Sequence, residues 1–143
     1  MIQHIKIQEV LQQSIAGFYT DLVTRPTGRA VRENIERDLL SDTIAVMDFT
    51  GVGCLDYSCA DEIVAKLLRA TVRVLLLRGT SDAHREAIEP VLQGHGLAAF
   101  LERADGTLEV LGAREPAATL LDELVAQRIA ARTPGGSIAL TAA

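Results

Sequence analysis

The chain has 143 residues, of which 48% are hydrophobic and 23% are charged, a composition typical of a single globular domain. Its net charge of −5 and its 14 scattered Lys and Arg residues argue against nucleic acid as a partner, because phosphate backbones are bound by clustered basic residues. The N-terminus lacks a signal-peptide pattern and no apolar stretch approaches the roughly 18 residues of a membrane span, so we expect a cytoplasmic protein with no membrane partner.

The opening third of the chain predicts a strand and an amphipathic helix. The alternating apolar residues of Ile2–Ile7 indicate the strand, and a weaker apolar patch at Phe18–Val23 is either strand or loop. After Pro26, an apolar residue recurs at every fourth position, which predicts a helix with Thr27 as its N-cap; these residues are Val31, Ile35 and Leu39.

The middle of the chain predicts a buried strand followed by a second helix. Residues 43–49 form a near-continuous apolar run, typical of a strand that is buried on both faces. The helix is predicted over Ser58–Arg69, and its apolar face consists of Ala60, Ile63, Val64, Leu67 and Leu68. Glu62 and Lys66 are placed on the opposite face as a favourable i, i+4 ion pair.

A third strand, Val72–Leu77, leads into a helix that is capped by Ser81 or Asp82. Pro90 predicts a kink or an early stop in this helix, which ends at Gly94 and Gly96. Two short apolar runs on either side of Ala104-Asp105-Gly106 predict a hairpin or tight bend.

The last helix opens near Pro116, and the residues beyond it resemble a loose tail. Strands that alternate with helices predict an α/β fold with a mostly parallel sheet of four to five strands and helices packed outside it. We expect one domain over residues 1–131 and a flexible C-terminal tail over 132–143.

Small polar and acidic side chains crowd between positions 48 and 62, where a strand, a glycine-marked loop and a helix start follow one another. Asp48 could serve as a phosphoacceptor or metal ligand. The interpretation that we favour is that it accepts hydrogen bonds from loop amides. Ser58 is either a phosphorylation site at a helix N-terminus or a simple N-cap, with Asp61 completing an arrangement like a capping box. In both interpretations this is the edge of the sheet where ligands and partners dock.

The remaining titratable residues favour no catalytic site. His84 falls on an apolar stripe and is expected to be packed, whereas His95 is expected to be exposed without an evident partner. Cys54 and Cys59 lack zinc-site spacing, and Cys59 is either a thiol of lowered pKa or, as we favour, a small packed side chain. We therefore expect no metal, no cofactor and no enzymatic activity, with an enzyme that uses Asp48, Asp56 or His84 as the least favoured alternative.

The segment V-M-D-F-T-G-V-x-x-L-D-Y-S-x-A-D-E-I resembles the core of a STAS domain, the fold of sulfate-transporter tails and anti-sigma-factor antagonists. Met47–Val52 matches the strand and loop of that family, and Leu55–Ser58 matches its helix entrance. Together with Arg25–Val31, which is similar to an R-x-x-G-R-x-[IVL] pattern, the likeness is greatest to a bacterial STAS-like family without an assigned function.

This resemblance implies a regulatory module that docks a partner protein, either an anti-sigma factor or a histidine-kinase-like ATPase; a homodimer is a further alternative. In anti-sigma-factor antagonists the phosphorylated residue directly follows the helix-entrance aspartate, and here that position is Tyr57. We interpret Tyr57 as a contact residue, because its ring is apolar and its tip polar. The expected contact surface consists of Asp56, Tyr57, Ser58, Asp61 and Glu62, with acidic character that suits a basic partner. A sensor of small anions or nucleotides at the same helix N-terminus is the alternative function.

Overall fold

The computed structural model describes residues 2–15 and 20–141. Its main sheet has five strands in the order β1–β2–β3–β4–β5. The strands β1 to β4 are parallel to their neighbours, and β5 pairs antiparallel with β4. Their bounds are Ile2–Lys6 (β1), Thr43–Asp48 (β2), Val72–Arg78 (β3), Ala98–Glu102 (β4) and Leu108–Gly112 (β5). The predicted α/β class and mostly parallel sheet are therefore confirmed.

The parallel strands are connected by helices, namely Ile7–Ser14 (α1), Arg25–Asp38 (α2), a composite helix α3 and Asp82–Gly94 (α4). Helix Arg114–Ala126 (α5) follows β5. The composite α3 consists of three consecutive segments: an α-helical Tyr57–Ala60, a π-helical Asp61–Ala65 and an α-helical Lys66–Ala70.

The sheet buries both of its faces, because alternate residues of each central strand point to opposite sides. On one face, Met47 and Leu75 share a core with α1 to α4. On the other face, Val46 and Leu76 pack against α5 and the C-terminal residues. This explains why the runs in β2 and β3 are apolar throughout rather than alternating.

The C-terminal residues that were expected to form a loose tail instead contain a β-hairpin. Ala130–Arg132 (β6) pairs antiparallel with Ile138–Leu140 (β7) around a turn in which Gly136 has a φ of +87°. The half-buried side chains of Ile138 and Leu140 pack against the second core. Alternating apolar residues on a short strand can pack on the face of a sheet. The Pro-Gly-Gly composition of the turn made these residues resemble a tail.

Several predicted helix boundaries are corrected. Helix α2 begins at Arg25 with Thr24 as its N-cap, so Thr27 lies inside it. Helix α4 continues through Pro90 to Gly94, so the early stop is wrong. Helix α1 was not predicted, and Phe18 and Tyr19 of the weak apolar patch lie outside the described residues.

Within the described ranges, no helix combines the length and apolar character needed to cross a membrane.

Candidate functional site

The carboxyl ends of β2 and β3 meet at one edge of the sheet, and Asp48 ends β2 there. Its Oδ1 accepts a hydrogen bond from the backbone N–H of Thr50 at 2.9 Å. Partial burial raises the pKa of Asp48, but the hydrogen bonds from Thr50, together with the charges of Arg78 and Lys6, outweigh this effect and lower the pKa. Gly79 approaches so closely that a Cβ there would lie 2.7 Å from Asp48 Oδ1. Asp48 is thus a partner of a loop amide, which confirms the favoured interpretation.

The loop between β2 and α3 is held from outside by residues 20–24. The N–H of Leu22 donates to the carbonyl of Cys54 at 2.7 Å, and the N–H of Asp56 donates to the carbonyl of Leu22 at 3.0 Å. The Oδ1 of Asp21 accepts from the N–H of Cys54 at 2.8 Å. These bonds fix the entrance to α3 by contacts that are distant in sequence.

His84 ties the same loop to the start of α4. Its Nδ1 accepts from the N–H of Ser81 at 3.0 Å, while the Ser81 hydroxyl oxygen accepts from the N–H of His84. Because Nδ1 accepts, the proton is on Nε2, which donates to the carbonyl of Gly53 at 2.7 Å. The ring is buried and lies 5.5 Å from that of Phe49, so the predictions of a packed His84 and a Ser81 cap are confirmed.

Asp56, rather than Ser58, caps α3. Its carboxylate accepts hydrogen bonds from the N–H groups of Cys59 and Thr24, at 2.8 and 2.9 Å, and from the Ser58 hydroxyl at 2.8 Å. Burial raises the pKa of Asp56, but these neutral donors outweigh it and hold the pKa below its ordinary value. The predicted cap by Ser58 is wrong because the residue two positions earlier has the extended backbone that an N-cap requires.

Tyr57 is the first residue of α3, and 63% of its surface is exposed. Val23, which is 39% exposed, follows Leu22 in the segment that pairs with Leu55. These two side chains therefore project from neighbouring segments at the same edge of the sheet. We call the surface formed by Val23, Asp56, Tyr57, Ser58 and Asp61 the Tyr57 surface.

The two cysteines differ in environment, and both are free thiols. Cys54 is exposed, whereas Cys59 is buried and its Sγ donates to the carbonyl of Thr24 at 3.1 Å. Burial, together with the adjacent Asp56 carboxylate, raises the pKa of Cys59 to about 12. Cys59 is therefore the packed side chain that we favoured.

Glu62 has no exposed surface, so its predicted role in partner contact is corrected. Its Oε1 accepts from Lys66 Nζ at 2.9 Å and from Arg25 Nη1 at 3.1 Å, and its Oε2 accepts from Arg32 Nε at 2.8 Å. Arg29 Nε lies 3.9 Å from Oε1. Burial raises the pKa of Glu62, but the surrounding cations outweigh it and lower the pKa to about 2.

The burial of Glu62 follows from the position of α3 between two neighbouring helices. Its first two segments contact α2 on one side and α4 on the other, while the apolar face packs on the sheet. Glu62 faces α2 from within the π-helical segment, which also alters the spacing of side chains around the helix. The predicted pairing of Glu62 with Lys66 is confirmed, but the pair faces a second helix rather than open solvent.

Asp61 is also paired with basic side chains. Its carboxylate accepts from Arg25 Nη1 at 2.8 Å and lies 2.9 Å from the Nε2 of His95, which therefore has the partner that the sequence did not suggest. Partial burial raises the pKa of Asp61, but these neighbours lower it overall. The acidic character that was expected from Asp61 and Glu62 is therefore corrected, because both of these carboxylates are paired with basic side chains.

Among residues 2–15 and 20–141, no group of three or more His, Cys, Asp and Glu side chains is arranged to hold a metal ion. Comparison of the chain with protein-family models, curated proteins and solved structures found no match in any of the three.

Proposed function

We propose that the chain is a non-enzymatic regulatory module that docks a partner protein through the Tyr57 surface. The observation that carries this proposal is the exposure of Tyr57 and Val23 on neighbouring segments at one edge of the sheet. Only three large hydrophobic side chains in the described part of the chain are exposed, and two of them lie here. Exposed aromatic residues with a polar tip are enriched at interfaces, where burial of the ring stabilises the complex.

The support beneath this surface is rigid, which favours docking. Asp56, the 20–24 segment and His84 together hold the loop and helix start by hydrogen bonds that are distant in sequence. A surface that is ordered before binding loses less conformational entropy when the partner arrives. Tyr57 is thus displayed on a frame that does not need to rearrange.

The STAS-like segment around this surface supports the choice of partner. The proposed partner is an anti-sigma factor or a histidine-kinase-like ATPase, as that resemblance implies. Asp61 lies beside Tyr57 but is paired with Arg25 and His95, so the proposed contact depends on the exposed Tyr57 and Val23 rather than on the charge of Asp61. Glu62 is not part of it.

The alternative of an anion or nucleotide sensor at the N-terminus of α3 has weaker support. The Asp56 carboxylate already accepts from the Cys59 amide, which a ligand phosphate at this position would need. A bound anion would also lie close to that carboxylate, which among the described residues is surrounded by neutral donors and by no cation that could offset the repulsion. The described contacts therefore favour protein docking at this edge of the sheet.

The test is affinity capture with the wild-type chain, Tyr57→Ala and the matched control Leu40→Ala. Leu40 is 54% exposed but precedes β2, at the opposite edge of the sheet. We expect a partner that binds the wild type and Leu40→Ala equally and binds Tyr57→Ala at least tenfold more weakly, measured by titration calorimetry. Equal affinity for all three chains would exclude the Tyr57 surface.

A further inference from the structure

Three partly exposed cations meet at one point between α2 and α3. Arg25, Arg29 and Lys66 each place a nitrogen 2.9–3.9 Å from the same atom, Glu62 Oε1. Their side chains are 42%, 55% and 38% exposed, whereas Glu62 beneath them is fully buried. We call Arg25, Arg29 and Lys66 the cation cluster.

The cation cluster retains hydrogen-bond donors that no protein atom uses. A guanidinium carries five N–H donors and an ammonium carries three. Lys66 donates to Glu62, and Arg25 uses a single nitrogen for both Asp61 and Glu62. Within the described residues, Arg29 makes only the 3.9 Å ionic contact. The remaining donors lie on side chains that reach solvent.

The local charge is positive although the whole protein is negative. Four cations, the cluster and Arg32, face three carboxylates. The carboxylates are those of Glu62, Asp61 and Glu36. Arg69 lines the adjoining groove and adds a further positive charge. An anion would therefore be attracted to this point of a protein whose net charge is −5.

We infer that the cation cluster binds a phosphate-type anion. Such a group carries nearly two negative charges and several acceptor oxygens at one place, which matches the unused, solvent-facing donors that Arg25, Arg29 and Lys66 hold around the buried Glu62. A single carboxylate carries half that charge. Glu62 holds the cations in position before the anion arrives, so little side-chain ordering remains to be done on binding.

This inference goes beyond the proposed docking function and does not depend on it. The site lies between α2 and α3, around Glu62, rather than at the N-terminus of α3. The phosphate has three possible sources: free inorganic phosphate, a phosphorylated side chain of another protein and a mononucleotide. Their shared chemistry is a terminal phosphate group that reaches Arg29 and Lys66.

The experiment is titration calorimetry of the full chain at low ionic strength with inorganic phosphate, a phosphoserine peptide and adenosine monophosphate. A titration with chloride at matched ionic strength is the control for non-specific effects of salt on the surface charges. The variants are Arg29→Glu, Arg29→Lys and the control Arg37→Glu, since Arg37 is an exposed arginine of the same helix outside the cluster. Urea unfolding of each variant verifies that it is folded.

We expect saturable phosphate binding with a dissociation constant on the order of 1 mM, as a few charge-assisted contacts provide. Arg29→Glu should weaken it about tenfold or more, whereas Arg37→Glu and Arg29→Lys should change it less than about threefold. The tightest of the three probes then identifies the source. Absence of saturable binding by all three, or equal losses in Arg29→Glu and Arg37→Glu, would overturn the inference.

Discussion

Two carboxylates of α3 lie in contrasting environments only six positions apart. Asp56 at the helix start accepts from two backbone amides and a hydroxyl, all of them neutral donors. Glu62, buried against α2, is surrounded by four cationic side chains. The first environment is a local cap beside the exposed Tyr57, and the second is a charged contact between two helices.

Neighbouring acids in a sequence need not share a surface. The pKa is lowered in both, but by neutral hydrogen-bond donors at Asp56 and by cations at Glu62. Asp56 therefore shapes the surface that displays Tyr57, while Glu62 holds α2 against α3. Changes at the two sites should have different consequences for stability and binding.

Removal of the Glu62 carboxylate should have the largest effect on stability, because it leaves the surrounding cations without their buried partner. We expect Glu62→Ala to lower the free energy of unfolding by about 3 kcal/mol, because the cations lose their buried partner but can still turn towards solvent. Urea unfolding at neutral pH measures this. The matched control Glu33→Ala, an exposed carboxylate of α2, should stay within about 0.5 kcal/mol of the wild type. An equally small loss in Glu62→Ala would contradict the account.

The stability difference between the wild type and Glu62→Ala should also depend on pH. The pKa of Glu62 falls from 4.5 to about 2 on folding, so its contribution is fully present above about pH 4.5. It is lost as the pH falls from about 4.5 to about 2, because the unfolded chain then takes up a proton that the folded chain does not. The difference in stability between the wild type and Glu62→Ala should therefore shrink across that range. A constant difference would show that the carboxylate titrates normally.

The spacing between α2 and α3 can be tested at Gly28. A Cβ at this position would lie 3.0 Å from Cys59 Cα and 3.2 Å from Glu62 Cβ, so Gly28→Ala must push the helices apart. At Gly94, near the end of α4, a Cβ would meet nothing within 4 Å. Both substitutions gain helix propensity, so the difference between them reports the steric clash at position 28. We expect Gly28→Ala to be less stable than Gly94→Ala by about 2 kcal/mol in thermal unfolding. Similar stabilities would mean that the helices are not in close contact.

Removal of the cap should have the smallest effect of the series. Asp56→Ala deprives the start of α3 of its side-chain acceptor, and we expect a loss of about 1 kcal/mol. Asp56→Ser, which retains an acceptor at the same position, should recover most of it. Urea unfolding compares the two, and amide hydrogen exchange at Cys59 should increase in Asp56→Ala alone. Unchanged exchange there would argue against the cap.

The elements that could be predicted are those with a local physical cause. The apolar runs of β2 and β3 reflect burial on both faces, and Ser81 with His84 caps α4 within four residues. The hairpin of β4 and β5 was evident from Asp105-Gly106. Each of these features depends on neighbours in the chain, which a single sequence displays.

The features that were missed depend on residues far apart in the chain. Arg25 and Arg32 lie 37 and 30 residues before Glu62, and His95 lies 34 residues after Asp61. The spacing of apolar residues assigns each helix position either to a buried face or to a solvent-exposed face. Helix α3 also has flanks, and these contact α2 on one side and α4 on the other. A charged residue on such a flank, such as Glu62, is predicted to face solvent because nothing in the local sequence indicates its partners.

Glu62 is a buried structural anchor, separate from the surface that displays Tyr57. The most direct test is a carbon-13 NMR titration of the Glu62 side-chain carboxyl in the folded wild-type chain. The account predicts a pKa of about 2, set by the cations of α2 and by Lys66. A pKa near 4.5, the ordinary value of a solvated glutamate, would contradict it.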